Sequence, residues 1–189
     1  VGFCVAVFNL NSGFAAESKQ AAFQKSLAGV PASELPAQAV ELVKASPTAE
    51  RESVTSDVVK GAIKLRPAAA SAVVGAIARA VPEVAPTAAG SAAAVQPKQA
   101  STFARVAAAA APSHAGKIVA AVCKAAPKEY RAVALAVAKA APGSEKEILL
   151  ALGSAFANTT PTIEQAVSTY TANPASFAAV VASLKPTAT

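Results

Sequence analysis

Residues 68–82 read AAASAVVGAIARAVP, and residues 128–142 read KEYRAVALAVAKAAP. Each is an alanine-rich run closed by a proline. The frame recurs at Pro67, Pro82, Pro97, Pro112, Pro127 and Pro142, six prolines set fifteen residues apart. A proline inside a helix removes a hydrogen bond and clashes with the preceding turn. Prolines at even intervals therefore divide the chain into helices of equal size. Self-similarity at a fixed period marks a repeat architecture. The frame continues outside this run, in SELPAQAVELVKASP at 33–47, GSEKEILLALGSAFA at 143–157 and TPTIEQAVSTYTANP at 160–174.

Aligning the units on their prolines gives columns with physical meaning. Column six holds Val58, Val73, Phe103, Ile118, Val133, Ile148 and Phe177. Column ten holds Leu42, Ile77, Val122, Val137, Leu152 and Val181, and column thirteen is alanine, valine or leucine. Spacings of four and three place these columns on one helical face, the expected core stripe. Column twelve holds Lys44, Lys64, Arg79, Lys124 and Lys139, cations in the last turn where they complement the helix dipole. Helix starts are marked by Ser53 and Ser113, by Thr160-Pro161 and Asn173-Pro174, and by a capping box at Ser144 and Glu147.

A helix of roughly 11–12 residues, about 17 Å long, is too short to be stable alone in water, so the units must stack. Connections of roughly two to four residues make consecutive helices antiparallel. A weak 30-residue period, with Asp57, Thr87, Lys117 and Glu147 in alternate units, points to two layers. The expected fold is all-α: about ten short antiparallel helices in an α-solenoid-like stack of either hand. Residues 17–186 form the repeat domain, 187–189 a tail, and 1–16 an apolar arm or the remnant of a signal peptide. The unit at 83–97 has Pro86, Gly90 and no large apolar residue, so a bend or a close helix contact is expected there.

Composition agrees with close backbone packing. The chain of 189 residues is 53% hydrophobic, yet it has no Trp, two Tyr and seven Phe. Its charged fraction of 15% lies below the roughly 25% of ordinary soluble domains, which points to a surface covered by another molecule. The formal net charge is +6. From 84 to 128 there is no acidic residue, while Lys98, Arg105, Lys117, Lys124 and Lys128 are basic. Two readings stand: a patch for an anionic partner such as nucleic acid, a polysaccharide or a lipid headgroup, or a set of solvated helix ends. The lack of interleaved aromatics disfavours nucleic acid.

Residues that carry chemistry are few. His114 is the only histidine and has no neighbouring acid in sequence. Glu145 and Glu147 sit at a helix start, where they favour the dipole. Tyr130 and Tyr170 fall on different units. Neither a G-x-S-x-G turn nor a phosphate-binding glycine loop occurs. Cys4 and Cys123 make no metal motif and read either as a disulfide of an exported protein or as two small buried hydrophobes. The expectation is a non-enzyme with no cofactor, no metal and no small-molecule substrate.

The ends give the functional expectation. Repeat arrays need polar caps, and here both ends are apolar. The opening VGFCVAVF presents Val1, Phe3, Val5, Val7 and Phe8, and the last helix presents Phe177, Val180, Val181 and Leu184. Such ends, meeting head to tail, give a heterologous contact and a filament. The first expectation is thus a secreted structural subunit, extracellular or at the cell surface, that polymerises with itself. The alternative is a secreted monomeric α-solenoid binding module for an anionic or protein partner. No run is long enough to form a transmembrane helix.

Overall fold

The residue before each repeat proline leaves the helical region. Arg66, Val81, Gln96, Ala111, Ala126 and Ala141 have φ between −141° and −129° and ψ between 68° and 80°. The following pyrrolidine ring disfavours the helical region at this position, and Phe156, which precedes Ala157, leaves the helix in much the same way at φ −133° and ψ 90°. Each of these residues still donates its N–H to the helix behind it, as Val81 does to the Ile77 carbonyl at 2.8 Å. The proline nitrogen has no hydrogen to donate, so the helix stops there. The proline then opens a 3-10 turn, as in Pro67–Ala69, Pro82–Val84, Pro97–Gln99, Pro112–His114 and Pro127–Glu129. Each turn runs directly into the next α-helix. At Pro142 the turn is completed by Gly143 at φ +88°, a left-handed conformation that glycine adopts without strain.

The computed structural model describes residues 23, 25–156, 163–165, 167 and 174–184. Its helices are α1 Leu35–Lys44, α2 Arg51–Leu65, α3 Ala70–Ala80, α4 Ala85–Val95, α5 Ala100–Ala110, α6 Ala115–Ala125, α7 Tyr130–Ala140, α8 Glu145–Ala155 and α9 Pro174–Ser183. Among the described residues there is no strand, and no helix is long and apolar enough to cross a membrane. The all-α repeat array is the observed fold.

From α1 to α8, each helix packs more extensively on the helix two places along than on the adjoining one. Glycines show the register of this stacking. A Cβ on Gly75 would lie 2.6 Å from Val106 Cγ1, one on Gly90 3.2 Å from the Ala121 carbonyl oxygen, and one on Gly116 3.1 Å from the Glu147 oxygen. All three partners lie 31 residues further on, and along α6 and α8 Gly116 and Ala120 share one groove with Glu147 and Ala151 at that same offset, so alternate helices run parallel. Four-residue connections then require each intervening helix to run back the other way. Helices α1, α3, α5 and α7 form one layer, and α2, α4, α6 and α8 the other. The close contact at Gly90 is one of the two features expected of the 83–97 unit, and α4 is continuous because Pro86 lies in its first turn.

The core is wider than one stripe. Columns six and ten are buried throughout α2 to α8, and so is column seven, from Val59 and Val74 to Leu149. In these helices column thirteen packs against its margin everywhere but at Val95. Leu65, Ala80 and Ala110 are half-buried and Val95 is exposed, while Val81, Ala111, Ala126, Ala141 and Phe156 of column fourteen are buried. Four residues past column ten, the position turned out of the helix swings its side chain back over the same face. In α1 the phase differs: Ala39, Val40 and Val43 are buried and Leu42 is half-buried.

The expected caps also need correction. Ser144 does not close a capping box; its hydroxyl donates to the Ala141 carbonyl at 2.6 Å. Ser53 lies inside α2 and donates to the Glu50 carbonyl, and Ser113 lies within its 3-10 turn. The physical reason is the turn itself. Its amides are already bonded, as Ala69 N–H is to the Arg66 carbonyl, so a side-chain cap has little left to satisfy. Thr160, Pro161 and Asn173 lie outside the described residues.

The stacking register generates a direct test. Gly75→Ala places a methyl group into Val106 and is expected to lower stability by about 1–2 kcal/mol despite the better helix propensity of alanine. In the Val106→Ala background the obstructing atom is gone, and the same substitution becomes neutral or stabilising. Urea unfolding of the four proteins of this cycle measures the coupling, expected at about 1 kcal/mol or more. Additive effects would contradict the register.

Candidate functional site: a basic edge and a docked C-terminal helix

Because alternate helices are parallel, the turns fall on two edges of the array. The turns before α3, α5 and α7 share one edge with the C-terminal ends of α2, α4 and α6. This edge carries Lys64 and Arg66, then Lys98, then Lys124 and Lys128, all exposed. Half-buried Glu129 stands among them, and exposed Glu34 lies at the start of α1, at the far end of the row. None of the five cations has an ion pair or a side-chain hydrogen bond to another described residue. Between the second and third of these turns runs a groove of about 290 Å³, lined by Pro97, Lys98, Ala125, Ala126, Pro127, Lys128 and Glu129. The opposite edge mixes signs, with Glu83 and Glu145 beside Arg79 and Lys139.

The basic stretch expected from sequence is thereby divided. Lys98, Lys124 and Lys128 come together. Exposed Arg105 lies midway along α5, and Lys117 lines a separate groove on the α6–α8 side with Glu147 and Leu150. Lys64 and Arg66 join the cluster from outside that stretch. The 30-residue period is the signal that brings them in, since it pairs the turn after residue 66 with those after 96 and 126.

Among the described residues, groups suited to catalysis do not converge. His114 is half-buried, and its Nδ1 lies 3.1 Å from the Ser113 hydroxyl oxygen. Among the described residues, no three His, Cys, Asp or Glu side chains could hold a metal ion together. Glu147 is exposed and Glu145 half-buried at the start of α8. Cys123 is a free, fully buried thiol, and burial pushes its pKa up to about 12. Cys4 lies outside the described residues.

The last helix is docked on its own chain. Phe177, Val181 and Leu184 are buried and Val180 is half-buried. Phe177 lines a groove with Leu135, Ala138 and Pro142 near one end of α7, while Leu184 meets Tyr130 at the other, so α9 runs opposite to α7. Its terminal carbonyls are received by side chains. Tyr130 Oη donates to the Leu184 oxygen at 2.6 Å, and Arg131 Nη2 donates to the Ala182 oxygen at 2.9 Å. Arg131 Nε donates to Tyr130 Oη at 2.7 Å, and the Tyr130 ring meets Phe156 edge-to-face with centroids 5.8 Å apart. A cation and a phenol at a helix C-terminus satisfy free carbonyls and complement the dipole. Three of the four C-terminal residues expected to contact a neighbouring subunit are thus covered within the chain. Val1, Phe3, Val5, Val7, Phe8 and Tyr170 lie outside the described residues.

Comparison with protein-family models, curated proteins and solved structures finds no match to this chain. The site must therefore be read from its own chemistry.

Two measurements check these contacts. Tyr130→Phe keeps the ring on Phe156 and removes the donor to Leu184, at a cost of about 0.5–1.5 kcal/mol. Amide exchange of α9 is expected to quicken while that of α4 and α5 stays unchanged; uniform loss of protection would show that α9 is not separately anchored. For Cys123 the folded pKa lies above the ordinary value of 9.0, so the unfolded chain loses its thiol proton first as pH rises. Stability should hold below about pH 9 and decline from there toward about pH 12, and Cys123→Ser should remove that part of the decline.

Proposed function

We propose that this chain is a helical-repeat binding module without catalytic activity, and that its partner is anionic. One observation carries the reading: five cations without a side-chain partner among the described residues stand at three turns on a single edge of the array. Each is explained singly as a cation at a helix end. Their gathering on one edge, with the acids mostly on the other, is what an anionic ligand would use. The docking of α9 on α7 supports a monomeric module, because that apolar face already has a partner within the chain. Self-assembly through the last helix has less support, because its apolar side chains already have intramolecular partners. Placement outside the cell belongs to the same proposal and rests on the apolar opening of the sequence.

Retention on a sulfated resin, together with light scattering, tests this reading. The purified chain should scatter as a monomer over a wide concentration range. It should bind the resin at about 50 mM salt and elute steeply as salt rises, as expected for a contact made by several charges. Passage through the resin unretained at low salt would overturn the anionic partner. Concentration-dependent polymers would overturn the monomeric module and return the filament to first place.

A further inference from the structure

The basic edge has a regular spacing as well as a sign. Its turns belong to alternate units stacked in one register. Packed helices lie about 8–10 Å apart, so the row from Lys64 through Lys98 to Lys128 extends about 16–20 Å along the stack. Each step presents a proline beside its cations: Pro67, Pro97 and Pro127. In the groove between the last two, proline and alanine line the same surface as Lys98 and Lys128. No aromatic residue lies at 64–69, 94–99 or 124–129.

This combination selects among anionic ligands. Single-stranded nucleic acid is held by stacking its bases on exposed aromatic rings, and Tyr130, at the start of α7 on this edge, is buried against Leu184 and Phe156. Amines spaced along a line of pyrrolidine rings suit a chain of saturated rings that bear carboxylates or sulfates. The C–H faces of such rings pack on proline, and the anions meet the lysines. Four of the five cations are lysines, flexible point charges that follow irregularly placed anions better than the planar fork of arginine. Resting on the proposed anionic partner, we infer that the ligand is an anionic polysaccharide lying along the stack axis, with its charges on Lys98 and Lys128 and on Lys64, Arg66 and Lys124 to either side. A ligand of this kind gains affinity with length until it spans all three turns, because each further contact is intramolecular.

The experiment titrates the full chain with galacturonate disaccharide, with long polygalacturonate and with single-stranded oligothymidylate of matched charge, at about 50 mM salt, following fluorescence anisotropy. Two variants are compared: Lys98→Glu/Lys128→Glu on the basic edge and Arg79→Glu/Lys139→Glu on the opposite one. Both make the same change in net charge on exposed side chains, so the comparison isolates position. Long polygalacturonate is expected to bind about tenfold or more tightly per charge than the disaccharide. The Lys98→Glu/Lys128→Glu protein should lose about tenfold in affinity and the other variant less than about twofold. Equal affinity per charge for short and long chains, or equal losses in the two variants, would overturn the extended site while the anionic reading stands. Tighter binding of the oligothymidylate would overturn the choice of polysaccharide. Failure of all three ligands to bind would remove the anionic reading itself.

Discussion

The structure depends on what a pyrrolidine ring does to the residue before it. That residue is turned out of the helical region, and the ring offers no N–H to continue the helix. The break recurs at a fixed interval, so every helix from α3 to α7 has the same eleven residues. Equal lengths let alternate helices lie side by side in register, and equal turns keep their ends on common edges. Layers, core and edge follow from this one local constraint.

What fills the space between the layers is mostly backbone and methyl groups. Alanine buries little area, so each contact contributes less than a leucine contact would. Close approach compensates, and it is possible only because small residues line the facing surfaces. Ala88, Ala89, Ala92 and Ala93 of α4 are fully buried, and Gly90 lies against the Ala121 backbone. Phe103 is the large side chain of this central region, enclosed in a helix whose other buried positions are all alanine. Such an interior leaves little slack, which is why a single methyl group at Gly75 is expected to be felt.

Much of the fold was legible in the residues themselves. The proline interval predicts the helices, and columns six and ten predict fully buried positions from Val58 to Leu152. Column thirteen, the last helical residue of each unit, flanks the core instead of entering it, because column fourteen, turned out of the helix before the next proline, covers the same face. Ser144 misled because a capping box presumes an α-helical first turn, and a proline-led turn bonds its own amides. The docking of α9 was harder to see, yet a trace of it is present at Tyr130. In the corresponding position of earlier units stand Ala70, Ala85, Ala100 and Ala115, all buried. At Tyr130 the larger side chain reaches the Leu184 carbonyl and packs on Phe156. The candidate site was the least legible part. Lys64 and Lys128 are remote in sequence, and column twelve gives each lysine a sufficient local reason. Only the two-layer topology shows that these residues share an edge.

The turn that joins each pair of helices also gives the array a parity. One unit carries the chain from one edge to the other, and two units bring it back. Loss or gain of a single unit within the array would transfer every later turn to the opposite edge and scatter its lysines among carboxylates. Loss or gain of a pair would only shorten or lengthen the basic row. An array of this kind can change its reach in steps of two units while keeping the character of each side, so the thirty-residue pair is the unit in which its surface can evolve.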